Sequence, residues 1–230
     1  NPRLKSGSDK RVGAIYLVED VASGIDVKIK IDSLVNGAKV KQVDDNGNGV
    51  GYKGAFQPEI TTGDNTGKSY AVFTFTFYIA NTNTPQALQS LNVTALDIDG
   101  NSQLKEFAEI IVGTGGTAKF MSTSTDLSLR QIVSGRYIGQ NVSGVERDGI
   151  DTASIRNMFT ASNTGVSSFT VKYGAITTTR DEDDRQYSLY MKGFTYPNQV
   201  TLPVELTVFS ATYNENKKAA DLKWTTASEE

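Results

Sequence analysis

The chain has 230 residues, a formal net charge of −3 and a pI near 5.2. Histidine and cysteine are absent from it, which excludes disulfides, thiol catalysis, Ser-His-Asp triads and nearly all catalytic zinc sites. The acidic balance argues against a nucleic-acid or anionic-membrane partner. Because no apolar run approaches about 20 residues, we expect no transmembrane segment.

Strand patterns recur along most of the chain. Residues 25–31 alternate strictly between apolar and polar, which is typical of a half-buried strand. The strongest strand covers residues 69–79, and we expect Phe73, Phe75 and Phe77 to share the face that enters the core. Other strands are predicted over residues 12–19, 38–43, 91–98, 106–112, 119–124, 127–133, 166–177 and 186–195. We expect the last two to pair with each other through a turn at residues 180–185.

Helix signals are almost absent, and only residues 149–158 could hold a short helix, capped near Asp151. Strands at this spacing, with Gly, Asn, Asp and Thr between them, predict an all-β protein built as an antiparallel β-sandwich, jelly-roll-like in form. We expect the sandwich to occupy residues 1–197, a linker residues 198–203, and a two-stranded tail residues 204–230.

The tail carries the most specific motif. Residues 202–213 read LPVELTVFSATY and residues 220–230 read ADLKWTTASEE. This pattern closely resembles the segment that opens the C-terminal region of many proteins exported by the type IX secretion system of Bacteroidota. The resemblance implies a location outside the cell or on its outer surface, and it implies no activity. The preceding residues resemble a secreted jelly-roll-like β-sandwich.

Two strands are predicted in the tail, over residues 205–212 and 219–226. A lone hairpin is at best marginally stable in water, so its apolar side chains need a partner surface. The residues that we expect at this interface are Leu206, Val208, Phe209, Leu222 and Trp224.

One turn has the composition of a cation site. Asp97, Asp99 and Asn101 alternate around Gly100, and Glu106 follows on the next strand. Alternating oxygen ligands of this kind suit Ca²⁺. The alternative is an ordinary Asp/Gly hairpin turn without a metal. Residues 44–49 and 181–184 are weaker acidic candidates, and the second of these segments reads as a solvated hairpin tip.

Catalysis has no recognisable signature. The chain contains 26 acidic residues, so a pair at glycosidase spacing would occur by chance, and we expect no enzymatic activity. A carbohydrate-binding module is the alternative function, since aromatic rings can stack on sugars. The rings that could serve are those of Tyr52, Phe56, Tyr137, Tyr187 and Tyr190.

Two tripeptides, Asp32-Ser33-Leu34 and Asp151-Thr152-Ala153, resemble the pattern that Bacteroidota use for O-glycosylation of exported proteins. The resemblance implies glycan attachment at Ser33 and Thr152. Together these observations predict a non-enzymatic extracellular structural or adhesive protein. It would self-associate, or bind another surface protein, through its C-terminal strands, and could assemble into a fibre.

Overall fold

A computed structural model describes residues 1–45, 54–147, 154–202, 206–214 and 217–226. The strands in chain order are β1 (Arg3–Ser6), β2 (Ile15–Ala22), β3 (Ile25–Val35), β4 (Lys39–Gln42), β5 (Glu59–Thr61), β6 (Gly67–Ile79), β7 (Leu91–Leu96), β8 (Leu104–Ile111), β9 (Thr117–Met121), β10 (Leu127–Val133), β11 (Arg136–Asn141), β12 (Phe159–Asn163), β13 (Ser168–Thr177), β14 (Asp184–Gln186), β15 (Ser188–Tyr190), β16 (Gln199–Leu202), β17 (Leu206–Asn214) and β18 (Ala219–Thr226). A single turn of 3-10 helix covers Ile155–Asn157.

Two antiparallel sheets form the sandwich. The larger has eight strands in the order β1-β2-β3-β6-β13-β8-β11-β10, and the smaller has five in the order β15-β7-β12-β9-β16. A three-stranded sheet, β14-β5-β4, contributes Val40 and Ile60 to the same core. The prediction of an all-β antiparallel sandwich is confirmed.

The core follows from the period-two alternation of the long strands. Phe73, Phe75 and Phe77 are at most 2% exposed, as predicted. Phe75 lies opposite Phe169 of β13, and their rings stack with centroids 4.6 Å apart. Phe56 packs edge-on against Phe75 at 5.2 Å. Such aromatic pairs add stability beyond their buried area.

The predicted pairing of residues 166–177 with 186–195 is wrong. β13 lies between β6 and β8, while the second segment is divided into β14, which pairs with β5, and β15, which pairs with β7. The division falls at Tyr187, whose side chain is fully buried and stacks on Tyr173 with ring centroids 5.0 Å apart. The segment therefore contributes one strand to the three-stranded sheet and one to the five-stranded sheet, with the buried Tyr187 between them.

Two connections also differ from expectation. Within the described part of residues 149–158, only the 3-10 turn at Ile155–Asn157 is helical. Residues 198–203 were expected to form a linker, whereas Gln199–Leu202 is strand β16, hydrogen-bonded to β9 at the edge of the five-stranded sheet. The short strand β16 gains ladder hydrogen bonds by extending that sheet.

Candidate functional site

The predicted metal turn connects β7 of the five-stranded sheet to β8 of the eight-stranded sheet. Asn101 Oδ1 accepts hydrogen bonds from the backbone N–H groups of Gln103 and Leu104, which closes the turn. Gly100 has φ 149°, and a Cβ at this position would collide with the carbonyl of Leu104. Asp97 adopts a left-handed conformation at φ 55°, which Asp tolerates better than most residues. Local geometry therefore accounts for the Asp, Gly and Asn of this turn.

Arg185 of β14 occupies the centre of the acidic cluster. Its Nη2 lies 2.7 Å from Oδ1 of Asp99, and its Nε lies 2.6 Å from Oε1 of Glu106. Asp99 and Glu106 are only 2% and 1% exposed, so their charges require a buried partner. The guanidinium, with its rigid fork of donors, satisfies both carboxylates at once.

Glu146 and Arg147, which follow β11, form hydrogen bonds with the same cluster. The backbone N–H of Arg147 donates to Oδ2 of Asp99 at 2.6 Å, and its side chain donates to Asp126 at 2.5 Å. Glu146 accepts a hydrogen bond from Nη1 of Arg185. The cluster thus joins β8, β14, the β7–β8 turn and the segment after β11 through charged contacts.

Burial raises the pKa of three acids in this cluster, Asp97, Asp99 and Glu106. The pKa of Asp97 rises to about 7, because burial disfavours its charged form and the charge of Asp99 adds to the effect. Burial likewise raises the pKa of Glu106, against the opposing charge of Arg185. Asn157 partly offsets the effect on Asp97 by donating from Nδ2 to its Oδ1 at 3.0 Å. The pKa of Asp97 therefore lies close to neutral pH.

Calcium stays a prediction for this turn. Of the four expected ligands, Asp99 and Glu106 lie together on Arg185, whereas Asn101 caps the turn backbone and Asp97 contacts Asn157. Among the described residues, no group of three or more acidic side chains has the arrangement of a metal site. The positive charge that a cation would bring is already supplied by the guanidinium.

The other acidic segments are tied to the backbone or to lysines. Asp44 Oδ1 accepts from the backbone N–H of Gln57, and residues 46–49 lie outside the described part of the chain. Glu182 pairs with Lys39, and Asp184 pairs with Lys41 at 2.6 Å. The run at residues 181–184 therefore contributes to cross-strand ion pairs beside β4.

The tail forms a sheet of its own. β17 and β18 pair antiparallel, and within the described residues this sheet has no third strand. Leu222 lies opposite Ala211, and Trp224 opposite Phe209. Leu222 is 54% exposed and Trp224 57%, while Tyr213 is 65% exposed. The other expected interface residues, Leu206, Val208 and Phe209, lie in β17, and the description covers only their backbone.

Register gives the hairpin two unlike faces. Directly opposed residues of an antiparallel pair share a face, so Tyr213, Leu222 and Trp224 lie on one side. The opposite side carries Ser210 with Lys223, and Thr212 with Asp221. The hairpin is therefore amphipathic, and its apolar side is exposed to solvent.

A cleft opens between the two main sheets, lined by β2, β3 and β6 of the larger sheet and by β7 and β15 of the smaller one. Its volume is about 790 Å³. The floor is apolar, with Val27, Phe56 and Phe77, and the rim includes Gln89 and Lys192. This volume falls within the range of small-molecule sites. Sequence patterns did not indicate the cleft, because its lining residues are far apart in the chain and meet only in the fold.

The expected sugar-stacking rings are mostly enclosed. Tyr137 and Tyr187 are at most 1% exposed and cannot stack on a ligand. Phe56 and Tyr190 line the cleft, and Tyr52 lies outside the described residues. The rings were assigned from composition alone, and strand alternation places most of them inward.

Of the two predicted glycosylation positions, Ser33 lies at a register shift in β3 and is partly exposed. Thr152 lies outside the described residues.

No helix in the described part of the chain is long and apolar enough to cross a membrane.

No protein-family model and no curated protein matches the chain. Two solved chains match, and one is glucan binding protein C of Streptococcus mutans, which is described as mediating sucrose-independent and sucrose-dependent adherence. It is 10% identical with a TM-score of 0.45, and the alignment covers 80% of this chain and 60% of that one. This chain therefore spans less than two thirds of that protein's length. A likeness at this identity and TM-score carries no argument about function.

Proposed function

We propose that the protein is a non-enzymatic, extracellular structural or adhesive surface protein that associates through its C-terminal hairpin. The observation that supports this proposal is the exposure of Leu222 and Trp224 on one face of a self-contained two-stranded sheet. The extracellular location rests on the resemblance of the tail to type IX secretion cargo.

Burying the apolar face of the hairpin would stabilise it. A fully buried Trp removes about 150–250 Å² from solvent, and each Å² of apolar area is worth about 25 cal/mol. Leaving Leu222, Trp224 and Tyr213 in water forgoes this energy, while an isolated hairpin has little stability of its own. Covering the apolar face with a second copy, or with another surface protein, would stabilise the hairpin and the assembly together.

Open strand edges add to this tendency. β17 and β18 each pair on one side only within the described residues, so their outer backbone groups are available for strand addition. Main-chain hydrogen bonds formed in this way are insensitive to side-chain identity, while Leu222 and Trp224 would supply the specificity. Such joints suit a fibre or a permanent surface assembly.

The test compares two adjacent residues on opposite faces of β18. Trp224→Ala should convert the associated protein to monomers in sedimentation velocity and abolish any filaments in negative-stain electron microscopy. Lys223→Ala, on the polar face, should leave assembly unchanged. Circular dichroism should show an intact sandwich in both variants. An unchanged oligomer in Trp224→Ala would contradict the proposal.

A carbohydrate-binding module is the second candidate, and the cleft favours it. Phe56 and Tyr190 line it, although they are only 7% and 8% exposed, and Gln89 and Lys192 lie on the rim. Calorimetric titration with neutral oligosaccharides, on the intact protein and on Gln89→Ala, would test this function. Saturable binding that weakens in the variant supports it, whereas the absence of heat with every oligosaccharide tested removes it.

A further inference from the structure

The outer face of the eight-stranded sheet differs in charge from the rest of the molecule. Residues that alternate with the buried core positions point outward from β3, β6, β13, β8, β11 and β10. The basic side chains at these outward positions are Lys28, Lys30, Lys68, Lys105, Lys172, Arg130 and Arg136. The acidic ones are Asp26, Asp32 and Glu109. The face is therefore net positive on a chain whose formal net charge is −3.

One buried carboxylate organises the middle of this face. Lys172 Nζ lies 2.7 Å from Oε1 of Glu109, and Arg136 Nε lies 2.9 Å from the same atom. Glu109 is only 4% exposed. Lys68 lies nearby, with its Nζ 4.1 Å from the centroid of the Phe107 ring. Glu109 thus fixes two cations in place without neutralising the whole cluster.

The remaining positive charges repel one another. Burial lowers the pKa of Lys68, and the charges of Lys172, Arg130 and Arg136 lower it further, while Glu109 opposes them. Charge repulsion of this kind disfavours the folded state until an anion relieves it. The packing of the sheet therefore holds these cations close together in the absence of enough local acids.

The basic face is long as well as charged. From Lys30 on β3 to Arg130 on β10, the sheet crosses β6, β13, β8 and β11. Five strand spacings of about 4.8 Å make this span about 24 Å. Thr74 and Thr170 lie within it, with their hydroxyls 2.8 Å apart. The surface thus offers charges and hydroxyl groups along a line that crosses the strands.

We propose that this face binds an acidic polysaccharide, one that carries carboxylate or sulfate groups at regular intervals. A linear polyanion laid across the strands would meet successive cations, and the threonine hydroxyls would pair with sugar hydroxyls. Nucleic-acid binding on a flat sheet relies on exposed aromatic rings. On this face Phe107 is 1% exposed beneath Lys68, and Tyr78 and Tyr70 lie under the ammonium groups of Lys28 and Lys172. The proposal goes beyond association through the hairpin and does not depend on it.

The experiment measures binding of polygalacturonate at low ionic strength, with neutral dextran as the reference polymer. The test variant is Lys68→Gln/Arg130→Gln, which removes two exposed charges from the basic face. The matched control is Arg11→Gln/Arg180→Gln, which removes two exposed charges elsewhere. The intact protein should bind polygalacturonate but not dextran, and added NaCl should weaken binding.

We expect the test variant to bind about tenfold more weakly and the control to stay within about twofold of the intact protein. Equal weakening in both variants, or no binding by the intact protein, would overturn the proposal. So would equally tight binding of single-stranded DNA or of anionic vesicles. Thermal melting should confirm that both variants are folded. Trp224→Ala should bind polygalacturonate with unchanged affinity. Failure of the polysaccharide proposal would therefore leave the assembly proposal standing, and failure of the assembly proposal would leave the polysaccharide proposal standing.

Discussion

Arg185 donates from Nε to Oε1 of Glu106 across 2.6 Å, at a point where Glu106 is 1% exposed. The same guanidinium reaches Asp99 and Glu146. This contact joins β14 of the three-stranded sheet to β8 of the eight-stranded sheet. A single basic residue therefore provides the charge balance of a buried acidic cluster.

Arg185→Met should lower the free energy of unfolding at neutral pH by about 3–5 kcal/mol, because Asp99 and Glu106 would lose their buried partner. Urea denaturation followed by circular dichroism would measure the loss. Arg180→Met, at an exposed position in the same region, should change stability by less than about 0.5 kcal/mol. Equal stability of the two variants would show that the buried ion pairs contribute little.

Asp97→Asn should remove a pH dependence of stability. The pKa of Asp97 is raised from 3.8 to about 7, so between these values the folded state holds a proton that the unfolded state releases. The free energy of unfolding should therefore fall as pH rises through this window, by about 4 kcal/mol in total. Asn stays neutral and tolerates the left-handed backbone.

The variant should consequently be more stable than the parent at pH 8 and similar to it at pH 4, as measured by urea denaturation at both values. Asp181→Asn, at an exposed position, is the control and should leave the pH dependence unchanged. A parent protein whose stability rises from pH 4 to pH 7 through this residue would contradict the assigned direction.

Calcium bound at the β7–β8 turn would compete with Arg185 for the same carboxylates. A cation that ligates Asp97, Asp99, Asn101 and Glu106 has to displace the guanidinium. CaCl₂ should therefore raise the melting temperature of Arg185→Met more than that of the parent, because the variant's acids lack a counter-charge. Chelation should reverse the shift. If neither protein responds to calcium or to chelation, the turn binds no calcium.

Phe75→Ala should destabilise the sandwich by about 3–5 kcal/mol, since it empties a site that is fully buried between Phe56 and Phe169. Thr76→Ala, at the next position on the outer side of β6, is the control and should cost about 1 kcal/mol or less. Chemical denaturation of the two variants would measure the difference. Similar losses in both would mean that the inner face of β6 is not the centre of the core.

Strand alternation was enough to place the core of the large sheet. Phe73, Phe75 and Phe77 could be assigned to the core because a side-chain period of two is local and survives any tertiary arrangement. The partners of these strands could not be read in the same way. The turn at residues 180–185 suggested a hairpin, yet Tyr187 is buried at a break between two short strands. No local pattern distinguishes that break from a continuous strand.

The sequence indicated the acids of the cluster but not their basic partner. Asp97, Asp99 and Glu106 stood out because they are close together along the chain, and Ca²⁺ is a common reason for such grouping. Arg185 lies 79 residues beyond Glu106 along the chain, and the two meet only in the folded protein. A basic residue at the end of an acidic run was the available signal.

The positive sheet face was missed because its cations are spread over six strands and meet only when those strands pair.

The pairing of β16 with β9 has a mechanical consequence. Any force applied to the tail enters the sandwich at Leu202, through a four-residue edge strand whose register runs from Gln199 opposite Met121 to Leu202 opposite Ala118. A pull along the strand loads all of its hydrogen bonds together, whereas a pull across it opens them one after another. Resistance to extension would therefore depend on the direction in which the tail is pulled.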